Sequence, residues 1–286
     1  MLPWGNLTNY SRSIRAKVFQ ENDMPIFCIS DLHLCDRGPR DNFCVGGREE
    51  RFCRFLDHVQ KQSGRLFILG DLFDWWQVNL SNSINEYRKL LNRLWQDDAV
   101  YVPGNHDNAL SNFIESILMP KINLLYEMKL PFSQAVAGRH FTFLHGHESD
   151  PYCGNSNPGI GEITAIISGM LEDRNKSPNY KGHAIEDRFI GTLDKMMSLW
   201  RKLAGETGRL DEMINGVEEY RKQQGADVVV SGHTHIAGQI SDFHYNCGSW
   251  CRDCDTFVRI EDEGIADVFE WTKNNRAVPY NKILRC

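Results

Sequence analysis

The chain lacks any run of about 18 consecutive apolar residues, the length a helix needs to cross a bilayer. Its opening, MLPWGNLTNYSRSIRAK, lacks the apolar segment of a secretory signal. Both absences predict a cytoplasmic protein; peripheral contact with the inner face of a membrane is raised only by the basic residues of an expected helical lid, named below. An excess of positive charge is also missing: 32 Lys and Arg stand against 38 Asp and Glu, a formal net charge of -6. Sequence-independent binding to a phosphate backbone draws on a basic field, so nucleic acid is not an expected partner and a nuclease is disfavoured. No Pro/Gly/Ser linker, low-complexity tract or internal repeat divides the sequence. The 286 residues are therefore read as one domain, 1-286, long enough to bury a core without disulfides.

Nine cysteines, an odd count in a chain without a signal, read as reduced thiols rather than a disulfide framework. Cys247, Cys251 and Cys254 form a C-x3-C-x2-C array that an iron–sulfur site could use. A fourth ligand is not evident nearby, and Phe257, Val258 and Ile260 follow in a strand-like run, so these are read as buried or edge thiols.

What is present is a regular exchange of short β-like runs and helical stretches. Ile26 to Ile29 is the first predicted strand; Phe52, Phe55, Leu56 and Val59 then share one face of a helix over 48–62. A strand over Leu66 to Leu69, a helix around 84–96 and a strand over Ala99 to Val102 complete β-α-β-α-β, the pattern of a mainly parallel sheet. Later strands are expected at Phe141 to Leu144 and Val228 to Val230, with antiparallel pairs from about 237 to 271. Candidate helices near 160–173, 185–204 and 208–224 follow one another without a strand, which predicts a helical insertion or lid at about 150–225.

Five of these strands end on metal-binding residue types. Asp31 and His33 follow the first; Asp71 and Asp74 the second; Asn105, His106 and Asp107 the third. His145 and His147 follow Leu144, and His233 and His235 follow Val230. Ligands of open α/β sheets sit outside the carboxyl ends of the strands, where five such ends can converge. One histidine at a strand end is more often structural. Here, however, His33, His106, His145, His147, His233 and His235 are six of the ten in the chain. Carboxylate, amide oxygen and imidazole, with no thiolate among them, suit manganese, iron or zinc. Seven candidate ligands exceed what one ion needs. Two ions about 3.5–4 Å apart, sharing a carboxylate, would use them all and generate a bridging hydroxide nucleophile near neutral pH.

The ordered set DLH, GDLFD, GNHD, HGH and GHTH resembles the signature of the calcineurin-like metallophosphoesterases, over about residues 26 to 271. The resemblance implies an α/β fold: a two-layer β-sandwich of mixed sheets flanked by helices. It implies two divalent cations, manganese foremost and iron or zinc as alternatives. Asp31, His33, Asp71 and His235 would hold the first and Asp71, Asn105, His145 and His233 the second. His106 would assist the leaving group and Asp107 would orient it, while Asp74 and His147 would support the ligands from behind. Within the family, ISDLHLC, LGDLFDWW, the long interval from HGH to GHTH and YNCGSWCRDCDTFVRI are most similar to the UDP-2,3-diacylglucosamine hydrolase subfamily. The departure is His106, where that subfamily typically carries Arg.

The implied reaction is hydrolysis at phosphorus, at the pyrophosphate bond of a nucleotide-linked glycolipid or, as the alternative, in a small soluble nucleotide ester. A metal-free protein-binding scaffold is disfavoured because all seven ligand positions are filled. In the expected lid, Ile160, Ile163, Ile166, Ile167, Met170 and Leu171 share a face, as do Leu193, Met196, Met197, Trp200 and Leu203. Such stripes usually pack in a core; the sharper expectation is a groove for acyl chains, with Arg174, Lys176, Lys181 and Arg188 meeting the nucleotide diphosphate or an anionic membrane surface.

Overall fold

The computed structural model describes residues 24–107, 127–128, 131–150, 206–251, 255–281 and 284–285. Along the chain the strands begin with β1 (Ile26–Ile29), β2 (Arg65–Leu69), β3 (Val100–Val102), β4 (Glu127–Met128), β5 (Phe132–Val136) and β6 (Arg139–Phe143). They continue with β7 (Val228–Ser231), β8 (Ile236–Ser241), β9 (His244–Asn246), β10 (Thr256–Ile260), β11 (Ala266–Trp271), β12 (Ala277–Pro279) and β13 (Leu284–Arg285). The α-helices are α1 (Arg48–Lys61), α2 (Leu80–Glu86), α3 (Arg88–Gln96) and α4 (Glu206–Gln224).

One sheet has the order β12-β11-β10-β1-β2-β3-β4 and the other β13-β8-β9-β7-β6-β5. Strands β1 to β4 are parallel, as a β-α-β series requires, and β10 joins β1 antiparallel. In the second sheet β6, β7 and β9 are parallel, with antiparallel strands on either side.

Alternation along the strands decides which layer each side chain enters. Phe27 and Ile29 of β1 turn outward, into a cluster with Phe52, Phe55, Leu56 and Val59 of α1 and Leu90, Leu91 and Leu94 of α3. Ile26 and Cys28 turn inward, toward Phe141, Phe143, Val228 and Val230 of the other sheet. Beyond that sheet, Leu144 and Val229 meet Val217 of α4. The result is helix, sheet, sheet, helix: the expected α/β sandwich of mixed sheets flanked by helices.

Several details differ from the sequence expectation. The helix over 84–96 is two helices meeting at Tyr87, whose backbone leaves helical geometry (φ -103°, ψ 17°). Its buried phenol donates to Asp41 Oδ2 at 2.7 Å. Apolar spacing reads straight through this break because Leu90, Leu91 and Leu94 continue the same buried face. The segments from 237 to 271 do pair antiparallel, but β8–β9 and β10–β11 lie in different sheets, and β9 also runs parallel to β7. Strand β5 (FSQAV) was not anticipated; at the edge of its sheet it needs no continuous apolar run. Of the expected insertion, α4 is described, whereas the helices near 160–173 and 185–204 lie outside the described residues. Among the described residues no helix is long and apolar enough to cross a membrane.

Phe55 is the hub of the outer cluster. It is fully buried against the rings of Phe27, Phe52, Trp250, Phe257 and Trp271. Truncation in Phe55→Ala should lower the unfolding free energy by about 3–5 kcal/mol in urea titrations; a loss below about 1 kcal/mol would contradict this packing.

Candidate metal centre

The strand-end turns hold their residues in an uncommon backbone conformation. Asp31 (φ 56°), His33 (φ 49°), Asp71 (φ 49°), His233 (φ 66°) and His235 (φ 56°) all occupy the left-handed region. Non-glycine residues seldom do so, and each costs about 1–3 kcal/mol unless its surroundings hold it there. Backbone bonds provide that hold. The amides of Asp31, His33 and Leu34 donate to Gly70, Asp71 and Leu72 (3.1, 2.9 and 2.9 Å), lacing the ends of β1 and β2 together. Gly232 N–H donates to His145 O at 2.9 Å, and Trp250 N–H to Asp31 O at 3.1 Å. Two carboxylates then tie loops to each other: Asp31 Oδ2 accepts from His233 N–H and Asp71 Oδ1 from His106 N–H, both at 2.9 Å. Gly70 (φ 90°) and Gly104 allow the close approach, because a Cβ on either would strike His145 or Asp71.

All seven expected ligands converge. Asp71 is central: its Oδ2 lies 3.6 Å from His33 Nε2 and 3.3 Å from His145 Nε2. It belongs to two groups whose ligand atoms all lie within 4.8 Å of one another, Asp31–His33–Asp71 and Asp71–His145–His233. Asn105 Oδ1 sits 3.1 Å from His145 Nε2, and His235 Nε2 sits 3.0 Å from Asp31 Oδ1. His145 Nδ1 donates to Leu69 O at 2.7 Å, which aims Nε2 at the centre. His147 is buried close by, its ring 5.4 Å from that of His145.

The structure corrects one expectation and adds residues. Asp107 does not orient His106. Fully buried, it accepts from the amides of Gly104 (2.7 Å) and Phe73 (3.1 Å), because that loop needs acceptors. The partner of His106 is Asp74, whose Oδ1 accepts from Nδ1 at 2.8 Å. Trp76 stacks on the same imidazole at 3.8 Å between centroids; it follows Asp74 in GDLFDWW but carried no signal of its own. Cys251, read from the sequence as a buried or edge thiol, is buried, and its Sγ and one ligand nitrogen each of His33 and His235 lie within 4.8 Å of one another. Asp150, also unanticipated, accepts from His233 Nε2 at 2.7 Å. The four expected substrate contacts, Arg174, Lys176, Lys181 and Arg188, lie outside the described residues.

Electrostatics follow from packing acids and imidazoles together out of water. Burial opposes ionisation of Asp31, yet His235 beside it holds the carboxyl well below the usual range. Asp71 is likewise held down against burial by His145 and His106, and Asp74 by His106. In return Asp71 overcomes the effect of burial on His145 and pushes that imidazole up to about 10. Asp107, buried and facing the charge of Asp71, is pushed up to about 6, and burial brings His147 down to about 4.

These residues fit a divalent cation. Asp31 Oδ1 and His33 Nε2 are buried, receive no hydrogen bond and lie 3.6 Å apart. Leaving such atoms unmade costs about 1–3 kcal/mol each, and a bound ion is one way to satisfy them. Their oxygen and nitrogen donors, with those of Asp71, Asn105 and the other imidazoles, suit divalent manganese, iron or zinc.

Acids and imidazoles gathered at parallel strand ends characterise a class of metal-dependent hydrolases. A model of the Calcineurin-like phosphoesterase family matches residues 24–237, and the chain belongs to that family. It is a metal-dependent phosphoester hydrolase. Among curated proteins it is similar to the UDP-2,3-diacylglucosamine hydrolase of Blochmanniella pennsylvanica (strain BPEN), 31% identical over 229 residues, covering 74% of this chain and 79% of that one. The Blochmanniella floridana protein of the same name is 32% identical over 131 residues, 43% of this chain, and the match spans only about half of that relative's length (47%). Among solved structures, Vacuolar Protein Sorting 29 from Cryptosporidium parvum is 12% identical, with a TM-score of 0.42 over 91% of this chain and 98% of that one. An archaeal phosphodiesterase is 13% identical, with a TM-score of 0.41 over 86% of this chain and 99% of that one. Likenesses as distant as these two do not bear on activity.

Ligation requires His145 Nε2 to be free of its proton. With that imidazole at about 10 before metal enters, cations compete with protons across the neutral range. Apparent affinity should therefore rise with pH, by about tenfold per unit for each proton displaced. Calorimetry in buffers of different ionisation enthalpy would count those protons; affinity that does not change with pH would contradict the assignment.

Proposed function

We propose that the chain hydrolyses the pyrophosphate bond of a nucleotide-linked diacyl amino sugar of the UDP-2,3-diacylglucosamine kind, with two divalent cations sharing Asp71. The observation that carries the paired site is the membership of Asp71 in two separate ligand groups. Asp31, His33, Asp71 and His235 would hold one cation and Asp71, Asn105, His145 and His233 the other. Manganese is the proposed metal, with iron or zinc as alternatives. Bound there, the cations would neutralise phosphoryl oxygens and lower the pKa of the attacking water.

The chain's own groups do the rest. His106 has its Nδ1 engaged by Asp74 and its ring face covered by Trp76, which leaves Nε2, 3.9 Å from Asp71 Oδ2, to hold a proton for the leaving oxygen. Asp107 keeps the Gly104–His106 turn in place through its two amide bonds. The choice of substrate is supported by the names of the two curated relatives. In this reading the single domain carries a helical insertion whose apolar stripes accept acyl chains, while Arg174, Lys176, Lys181 and Arg188 meet the diphosphate or an anionic membrane surface. The enzyme would work in the cytoplasm, peripheral to the inner membrane face.

A second reading, hydrolysis of a small nucleotide ester, is favoured by His106, since the resembling subfamily typically has Arg there. Mass spectrometry of the products from UDP-2,3-diacylglucosamine and from simple nucleotide esters, each incubated with manganese-loaded protein, separates the two. Cleavage of the esters alone would overturn the glycolipid proposal. Under either reading, His106→Ala should lower kcat by about 10²–10⁴ while metal content is kept. Asp74→Asn should cost a smaller factor, about 10–100, through loss of ring orientation. Steady-state kinetics beside elemental analysis measures both, and full activity in His106→Ala would refute its role.

A further inference from the structure

Two neighbours after β9 take opposite directions. Trp250 enters the outer apolar cluster, its Nε1–H donating to Thr256 O at 2.8 Å, while its backbone N–H is tied to Asp31 O. That tie brings the next residue, Cys251, to the metal centre. Cys251 is buried at 6% exposure, but unlike Cys247 it joins none of the apolar clusters of the core. Its Sγ and one ligand nitrogen each of His33 and His235 lie within 4.8 Å of one another. A separate observation concerns the same two histidines. Asp31 Oδ1, fully buried and without a hydrogen bond, lies 3.0 Å from His235 Nε2 and 3.6 Å from His33 Nε2. His33 and His235 thus neighbour both the Asp31 carboxylate and the Cys251 thiol, delivered by the ends of β1, β7 and β9.

We propose that Cys251 ligates the first cation as a thiolate, beside Asp31, His33, Asp71 and His235, and so raises the affinity of that position for the alternative ions, zinc and iron, relative to manganese. The proposal rests on the paired-cation reading above and deepens it. Thiolate is a soft ligand that selects such metals where oxygen donors alone do not discriminate. On coordination the sulfur–metal bond replaces the S–H bond, and the proton leaves to solvent, so no oxidant or reductant takes part. The two positions of the pair then differ in kind: sulfur at the first, oxygen and nitrogen only at the second.

Cobalt(II) is the probe, because a sulfur ligand gives it an intense near-ultraviolet charge-transfer absorption that oxygen and nitrogen ligands do not. The unmodified protein loaded with cobalt should show this band; Cys251→Ser should lose it, and Cys53→Ser, altered on α1, should keep it. X-ray absorption of the zinc-loaded unmodified protein, which needs no variant to fold, should show a sulfur neighbour at about 2.3 Å. In competition, zinc should displace manganese from one position at least tenfold less readily in Cys251→Ser. Two cobalt ions bound without the band or a sulfur shell would overturn the thiolate while leaving the paired site intact. A band that survives in Cys251→Ser would assign the sulfur elsewhere and equally overturn it. Failure to bind cobalt at all would remove both the pair and the thiolate.

Discussion

A carboxylate removed from water stays ionised only if something nearby balances it, and Asp31, Asp71 and Asp74 are all buried within one small region. The rest of the centre answers that demand. Amides of His233 and His106 bind the oxygens of Asp31 and Asp71, imidazoles from four strand ends crowd the remaining ones, and His145 is driven to hold a proton it would otherwise release. A divalent cation held there would resolve the same imbalance more completely than protons do, since it would also satisfy Asp31 Oδ1 and His33 Nε2. Affinity for metal is in this sense built into the burial of the acids.

Geometry supplies the second half of the explanation. A single parallel sheet could bring β1, β2 and β3 to one edge, but the imidazoles of His145, His233 and His235 come from the facing sheet. The packed layer between the sheets, with Phe67, Val100, Phe143 and Val230 in contact, holds those two edges in register. Five left-handed residues at the strand ends are an energetic cost that only this laced backbone sustains. Stability in the sandwich is thereby spent on precision at its edge.

Much of this was legible from residue types alone. Apolar runs placed β1, β2, β3 and β7 to within a residue or two, because buried parallel strands read as continuous apolar segments. The recurrence of Asp, Asn and His at their ends disclosed all seven converging residues. What stayed hidden depended on side-chain direction. Nothing in GNHD says that Asp107 faces its own loop and leaves His106 to Asp74, and nothing in GDLFDWW says that Trp76 covers that ring. Cys251 was visible only as a member of a cysteine array; its place beside His33 and His235 comes from the turn that Trp250 anchors. The break at Tyr87 was masked by uninterrupted apolar spacing.

Everything in the proposed chemistry turns on a pair of cations sharing Asp71. Electron paramagnetic resonance of the fully manganese-loaded protein tests it most directly, because two manganese ions bridged by one carboxylate couple their spins. The unmodified protein should give an exchange-coupled spectrum that collapses to that of isolated ions in Asp71→Asn. An isolated-ion spectrum from the unmodified protein at full loading would contradict it.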